Sequence, residues 1–274
     1  MAVMPGGRPP ATFDSVEQSR FDRAAVVVVS EPEFGLLLAA HGERLDGAVN
    51  AGALQLAAAL RARRVARKIQ CGFIKGRPSI REALDALIES EILVYPLFLA
   101  DGYFSRVRLR QLLAEGPQLA RMRVMLPLGL DPSLVRLVGD RAAGAARSHD
   151  LEPRDVAVVL FAHGSTKDSA SREACDWQAD QLARSGQFGD VRIALLEEPP
   201  YLPAVLAEIS GPTIVVGMFV GEGLHGRGDT PRIIAEINRR DVIFAGNVGA
   251  CSDLADIVAA SVAREAHQPA ASPR

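Results

Sequence analysis

Leu36-Leu37-Leu38-Ala39-Ala40-His41-Gly42 is answered by Val158-Val159-Leu160-Phe161-Ala162-His163-Gly164, at an offset of 122 residues. Each stretch is an unbroken apolar run closed by His-Gly, the pattern of a strand buried on both faces that runs into a tight turn. Outward from this pair the correspondence continues. Phe73 to Ile80 answers Leu195 to Leu202, again at 122, and Pro96 to Gly102 answers Gly217 to Gly223 at 121. Leu134 and Leu254 stand 120 apart, early in the last helix of each half. A register that drifts by two residues over a whole half marks an internal duplication.

Each half reads as four strand-then-helix units. In the second half the strands are Val156 to Ala162, Val191 to Leu196, Thr213 to Val220 and Asp241 to Ala245, with helices between them. Asp131-Pro132 sets a capping carboxylate before a proline at the first helical position, and Ser252 can cap the final helix. Buried strands alternating with helices require parallel pairing and right-handed crossovers. The expected fold is therefore α/β, two similar doubly wound parallel-sheet domains. The expected organisation is a leader over 1–33, flexible in its first part, a first half over 34–145, a linker over 146–155, a second half over 156–265 and a tail over 266–274.

Composition narrows the function classes. Hydrophobic residues make up 48% and charged residues 23% of the 274, an ordinary globular balance. A net charge of -2 supplies no field for nucleic acid or for an acidic membrane surface, and no run approaches the roughly 18 apolar residues of a membrane span. The leader lacks the apolar core of a signal peptide. Cys71, Cys175 and Cys251 form no CxxC pair or zinc pattern, so buried structural thiols in a reducing cytoplasm are expected. Nucleic acid and membrane are thus not expected as partners.

In an open parallel sheet, ligands gather beyond the carboxyl ends of the strands. His163 follows the first strand of the second half, Glu197 and Glu198 follow the second, and His225 lies in the glycine-rich segment after the third. A lone histidine after a strand is more often structural, but three ligand-type positions at one edge point to metal or acid–base chemistry. Two imidazoles and a carboxylate suit Co²⁺, Fe²⁺, Ni²⁺ or Zn²⁺. Glu197 has the better repeat-derived position, with Glu198 the open alternative. The first-half equivalents are His41, Lys75 and Phe104, a set that keeps one ligand and cannot hold a divalent cation. That half is expected to form a wall of the cleft, with His41 either structural or in contact with substrate.

Gly221-Glu222-Gly223-Leu224-His225-Gly226 also matches GxGxxG, the fingerprint of dinucleotide sites. It follows the third strand of its unit instead of the first, and Asp229-Thr230-Pro231 delays the helix. An oxidoreductase binding NAD or FAD is therefore the weakest of the readings. There is no GxSxG elbow, no Walker A sequence, and no arginine before His163 of the kind a histidine phosphatase carries.

Three motifs, Ala162-His163-Gly164-Ser165, Leu196-Glu197-Glu198-Pro199-Pro200 and Gly223-Leu224-His225-Gly226-Arg227-Gly228-Asp229-Thr230-Pro231, resemble those of the sirohydrochlorin chelatases of CbiX/SirB type, class II tetrapyrrole chelatases related to ferrochelatase. The resemblance covers residues 34 to 265, the first half matching through Ala40-His41-Gly42, Phe73 to Ile80 and Pro96 to Gly102. It implies two α/β domains enclosing a tetrapyrrole cleft, with the paired histidines, here His163 and His225, in the second half and Glu197 or its neighbour as third member. It implies insertion of Co²⁺, Fe²⁺ or Ni²⁺ into sirohydrochlorin or a related tetrapyrrole, in cobalamin- or siroheme-type biosynthesis. No cofactor is expected beyond the metal that is itself a substrate. Some long family members carry a His-rich stretch or a C-terminal cysteine motif; neither occurs here, so no iron–sulfur cluster is expected. Arg44, Arg106, Arg108 and Arg227 lie in or just after the same loops and are candidates for the carboxylates on the tetrapyrrole rim. The rival is a non-catalytic tetrapyrrole- or metal-binding protein of the same fold. Because one chain supplies both walls of the cleft, either a monomer or a homodimer suffices.

Overall fold

Leu36, Leu37 and Leu38 are wholly inaccessible to solvent, as are Val158, Val159 and Leu160, so consecutive side chains, which point to opposite faces of a strand, are buried on both. This is the condition for a sheet covered by helices on either side. The computed structural model describes residues 32–42, 50–220, 230–250 and 252–268. It contains two four-stranded, all-parallel sheets. The first is built from β1 (Gly35–Ala40), β2 (Lys68–Phe73), β3 (Ile92–Pro96) and β4 (Met122–Val124) in the order β2-β1-β3-β4. The second repeats it with β5 (Ala157–Ala162), β6 (Asp190–Leu195), β7 (Thr213–Met218) and β8 (Val242–Asn247) in the order β6-β5-β7-β8.

Helices α1 (Ala51–Ala62), α2 (Ile80–Asp85), α3 (Arg110–Ala114) and α4 (Pro132–Arg147) connect and follow the strands of the first half. A π-helical turn, Phe104–Leu109, leads into α3. The second half carries α5 (Ala170–Arg184), α6 (Leu202–Glu208), α7 (Thr230–Ile237) and α8 (Leu254–Ala266). The outer faces of the sheets bury Leu37, Ala39 and Val94 against α2 and α3, and Val159, Phe161 and Val215 against α6 and α7. The inner faces share one continuous core, in which Leu36, Leu38 and Tyr95 join Leu160, Ile214 and Val216.

That shared core comes from an exchange of terminal helices. α4 ends the first half in sequence but packs on β7 and β8, and α8 ends the second but packs on β3. Buried Gln178 on α5 likewise donates to the Gly129 carbonyl of the first half at 2.6 Å. The two halves are thus packed through each other's last helix.

Local chemistry fixes the starts of α2 and α4. Asp131 caps α4, accepting from the Ser133 amide at 2.8 Å with Pro132 in the first turn. Ser79 and Glu82 form a reciprocal capping box on α2. The expectation for α8 is corrected: the cap position is Asp253, and the Ser252 hydroxyl donates to the Asp253 carboxylate at 3.1 Å instead of capping the helix. No helix among the described residues is long and apolar enough to cross a membrane.

Candidate functional site

The registers of the two sheets bring the strand ends level. Ala40 pairs with Phe73, and Ala162 pairs with both Leu195 and Met218, so the residues that follow emerge together at the carboxyl edge. In the order β2-β1-β3, successive connections leave β1 in opposite directions, and the crevice beyond β1 and β3 is where such sheets bind ligands. His41 leaves β1 at this point, and His163 leaves β5 at its repeat.

Both histidines are held by the same device. The glycine after each takes a left-handed backbone, φ 78° at Gly42 and 70° at Gly164. A Cβ on Gly42 would lie 1.7 Å from the Lys75 carbonyl oxygen, so no larger residue fits. Nδ1 of His41 contacts the Gly42 carbonyl at 2.9 Å, and Nδ1 of His163 contacts the Gly164 carbonyl at 3.1 Å. A carbonyl only accepts, so Nδ1 donates in each, and Nε2 is the nitrogen that carries the lone pair in the corresponding neutral tautomer. Orientation through one nitrogen is the arrangement by which a histidine ligand presents the other. The His163 ring is exposed and that of His41 half-buried.

The second strand of each half supplies the next residue. The Lys75 amide donates to the His41 carbonyl at 2.7 Å, and the Glu197 amide donates to the His163 carbonyl at 2.9 Å. Glu197 therefore occupies the backbone position of Lys75, fixed beside the histidine by an equivalent bond. Its side chain is exposed and makes no hydrogen bond or ion pair among the described residues. Glu198 is different. One carboxylate oxygen accepts from the Ser165 amide at 3.1 Å, and the other pairs with Arg172 at 3.2 Å, tying the turn after β5 to the turn after β6. The Ser165 amide, helped by the Arg172 guanidinium, holds the Glu198 carboxyl below the usual carboxylate range. Arg172 also donates to the Pro199 carbonyl. Arg172, 26 positions before Glu198, escaped the reading of the sequence because no motif or spacing connects them.

The third position is visible in the first half, where Phe104 opens the π-helical turn. Its ring meets His41 edge-on at 4.5 Å between centroids, Lys75 Nζ lies 5.3 Å from its centre, and Tyr103 packs against it at 5.4 Å. The three first-half positions read from the repeat, His41, Lys75 and Phe104, are thus in mutual contact. Arg106 is exposed and Arg108 half-buried on the same turn. His225, Arg227 and the GxGxxG run fall within 221–229, and Arg44 within 43–49, outside the described residues. Among the described residues no three His, Cys, Asp or Glu side chains converge as a metal site.

The carboxyl-edge loops of the two halves abut. A Cβ on Gly102, after β3, would lie 3.4 Å from Ala170 and 3.6 Å from the Asp168 carboxylate at the start of α5; one on Gly52, in α1, would lie 3.4 Å from the Val220 carbonyl after β7. A cavity of about 650 Å³ lies elsewhere, on the outer face under α6 and α7, lined by residues such as Leu196, Leu202 and Ile233 and, among the described residues, by no histidine. The titratable groups of the candidate site sit instead at the strand ends.

Comparison with known proteins agrees with this architecture. The CbiX family profile matches twice, over residues 35–145 and 157–265, and the chain belongs to that family. It is 24% identical over 259 residues, 81% of this chain and 88% of the relative, to a protein of Halobacterium salinarum named "Probable sirohydrochlorin cobaltochelatase". Two solved structures share its fold. One is CbiX, described as the terminal enzyme for biosynthesis of siroheme in denitrifying bacteria, with a TM-score of 0.67, 24% identity and coverage of 86% of this chain and 100% of that one. The other is the sirohydrochlorin chelatase SirB of Bacillus subtilis in complex with cobalt, with a TM-score of 0.68, 19% identity and coverage of 86% and 97%.

Proposed function

We propose that this CbiX-family chain inserts a divalent metal, Co²⁺, Fe²⁺ or Ni²⁺, into sirohydrochlorin or a closely related tetrapyrrole, at one site built on the second half. The observation that carries the proposal is the His163–Glu197 pair. An oriented imidazole and an uncommitted carboxylate are joined backbone to backbone at the carboxyl edge, while the same positions in the first half hold His41 and a lysine. A duplicated site that keeps the imidazole–carboxylate pair on one side only is suited to one metal ion. His225 is assigned here as the second imidazole, from its place in the motif after β7.

Insertion requires the ion to exchange water for pyrrole nitrogens while two N–H protons leave the macrocycle. Nε2 of His163 holds the incoming ion or accepts a proton, and His225 does the same from the loop after β7. Glu197, with no competing partner among the described residues, relays protons to solvent. Glu198 is assigned a structural role, since Ser165 and Arg172 already occupy its oxygens. An N/O donor set of this kind accepts cobalt, iron and nickel alike, with selectivity arising from geometry and supply.

The test is to mix purified protein with sirohydrochlorin and each of Co²⁺, Fe²⁺ and Ni²⁺ and follow the absorption spectrum. Acceleration over the spontaneous reaction is expected with at least one metal, and acceleration with none overturns the proposal. Tetrapyrrole binding without acceleration would mark a carrier. His163→Ala and His225→Ala each abolish turnover, whereas His149→Ala, an exposed ring at the end of α4 that contacts the Ala145 carbonyl, leaves it intact.

A further inference from the structure

Resting on that reading of the second half, we infer that Lys75 and Phe104 form the docking platform for the tetrapyrrole: Phe104 takes the face of the macrocycle and Lys75 takes a rim carboxylate. Tyr103, Phe104 and Val107 are 53%, 36% and 40% exposed, an apolar surface on one short stretch directly after β3. The Tyr103 and Phe104 rings adjoin at 5.4 Å, and exposed apolar side chains that cluster, unlike those scattered singly, mark a surface for a ligand or partner. Lys75 stands over Phe104 at 5.3 Å and has no carboxylate partner among the described residues. Arg106 and Arg108 lie on the same turn and add positive charge to this stretch. A flat, conjugated ligand with anionic groups at its edge matches an aromatic surface with a cationic rim, through stacking at the centre and charge-assisted hydrogen bonds at the periphery.

The repeat explains why these residues stand there. Lys75 has the backbone position of Glu197 and the same bond to the preceding histidine. The exchange of a carboxylate for an ammonium turns a position suited to a cation into one suited to an anion. The ring of Phe104, edge-on against His41 at 4.5 Å, adds an apolar surface beside that imidazole. One copy of the duplicated edge thus handles the metal and the other holds the organic substrate. The ammonium–ring contact is weak enough at an exposed site for a carboxylate to draw Lys75 away from it.

The test is equilibrium binding of metal-free sirohydrochlorin, followed by quenching of its own fluorescence, with Co²⁺ binding measured separately by calorimetry. Lys75→Met and Phe104→Ala should each weaken tetrapyrrole binding by about tenfold, the scale of one charge-assisted bond or one aromatic contact. Lys75→Arg should stay within about threefold of wild type, and Lys75→Met should reduce the salt dependence of binding. In turnover the same variants should raise KM more than they lower kcat. Co²⁺ affinity and the thermal midpoint should not change. Wild-type affinity for sirohydrochlorin in both Lys75→Met and Phe104→Ala overturns the inference and leaves the chelatase reading standing. Loss of Co²⁺ binding in these variants also overturns it, by placing them in the metal site. A wild-type protein that does not bind sirohydrochlorin removes both.

Discussion

Replacing Asp131 tests the exchange of helices that binds the two halves together. This carboxylate is 8% exposed, and its two oxygens serve different halves of the repeat. One caps α4 through the Ser133 amide at 2.8 Å. The other accepts from the hydroxyl of buried Ser261 on α8 and pairs with Arg264 at 3.3 Å. Losing the cap costs about 1 kcal/mol. Losing a buried hydrogen bond to a charged acceptor costs about 1.5–3 kcal/mol. The Arg264 side chain is 56% exposed, so its pair adds no more than a few tenths, roughly 0.3 kcal/mol after screening. Asp131→Ala should therefore destabilise by about 3 kcal/mol, a large share of the roughly 5–15 kcal/mol available to a folded domain. Asp131→Asn retains a capping oxygen and should lose about 1 kcal/mol. The assay is urea unfolding at pH 7 followed by circular dichroism, in a cycle with Ser261→Ala. A coupling above about 0.5 kcal/mol between the two sites is expected. The exchanged helices further predict one transition for both halves. A loss under about 0.5 kcal/mol for Asp131→Ala, effects that simply add, or two separated transitions would each refute the reasoning.

Four further outcomes follow from particular contacts. Glu197→Gln should lower turnover by about 100-fold or more with an unchanged thermal midpoint, whereas Glu198→Gln should lower the midpoint first; steady-state rates and thermal melts of both variants separate the two glutamates. Gly144→Ala, where a Cβ meets nothing within 4 Å of an α4 helical position, should stabilise by about 0.5–1 kcal/mol; Gly129→Ala, whose Cβ would lie 1.9 Å from the Leu99 carbonyl, should destabilise by about 1–3 kcal/mol or more, both read from urea midpoints. Glu82, Glu198 and Asp241 are held below their ordinary values by the Ser79 amide, the Ser165 amide and Arg239 respectively. Their contribution is complete above the ordinary carboxylate values and disappears as pH falls through the lowered ones, so urea midpoints should decline on acidification below about pH 4.5. Asp176, raised chiefly by desolvation, acts in the opposite sense, and Asp176→Asn should make the acid decline steeper. Burial pushes the Cys71 thiol up to about 11 and that of Cys175 higher still, so mass spectrometry after iodoacetamide at pH 7.5 should find both unmodified until the protein is unfolded.

The parts of the molecule legible in the sequence are those set by short-range periodicity. Runs such as Leu36 to Ala40 and Val158 to Ala162 are buried on both faces, and that requirement leaves an uninterrupted apolar signature whatever surrounds them. The repeat also aligned Glu197 with Lys75, and each of these residues donates its amide to the histidine carbonyl of its own half. The sheet that each terminal helix covers was not legible. Leu134, Leu137 and Val138 on α4, and Leu254, Ile257 and Val258 on α8, give both helices one apolar face, and the sequence does not label the sheet that receives it. The different uses of Glu197 and Glu198 were hidden for a similar reason: adjacent carboxylates are chemically identical until Ser165 and Arg172, distant in sequence, engage only one of them. The same logic applies to the first half. Lys75 and Phe104 registered in the sequence as missing ligands, yet the chain places the cation over the ring and leaves apolar surface beside it uncovered. A position released from metal binding by duplication would be free to drift toward any solvated residue. An ammonium set over an aromatic ring, beside a histidine oriented through its Nδ1, is a contact that a solvated residue would lack, and it is the contact on which the proposed tetrapyrrole platform rests.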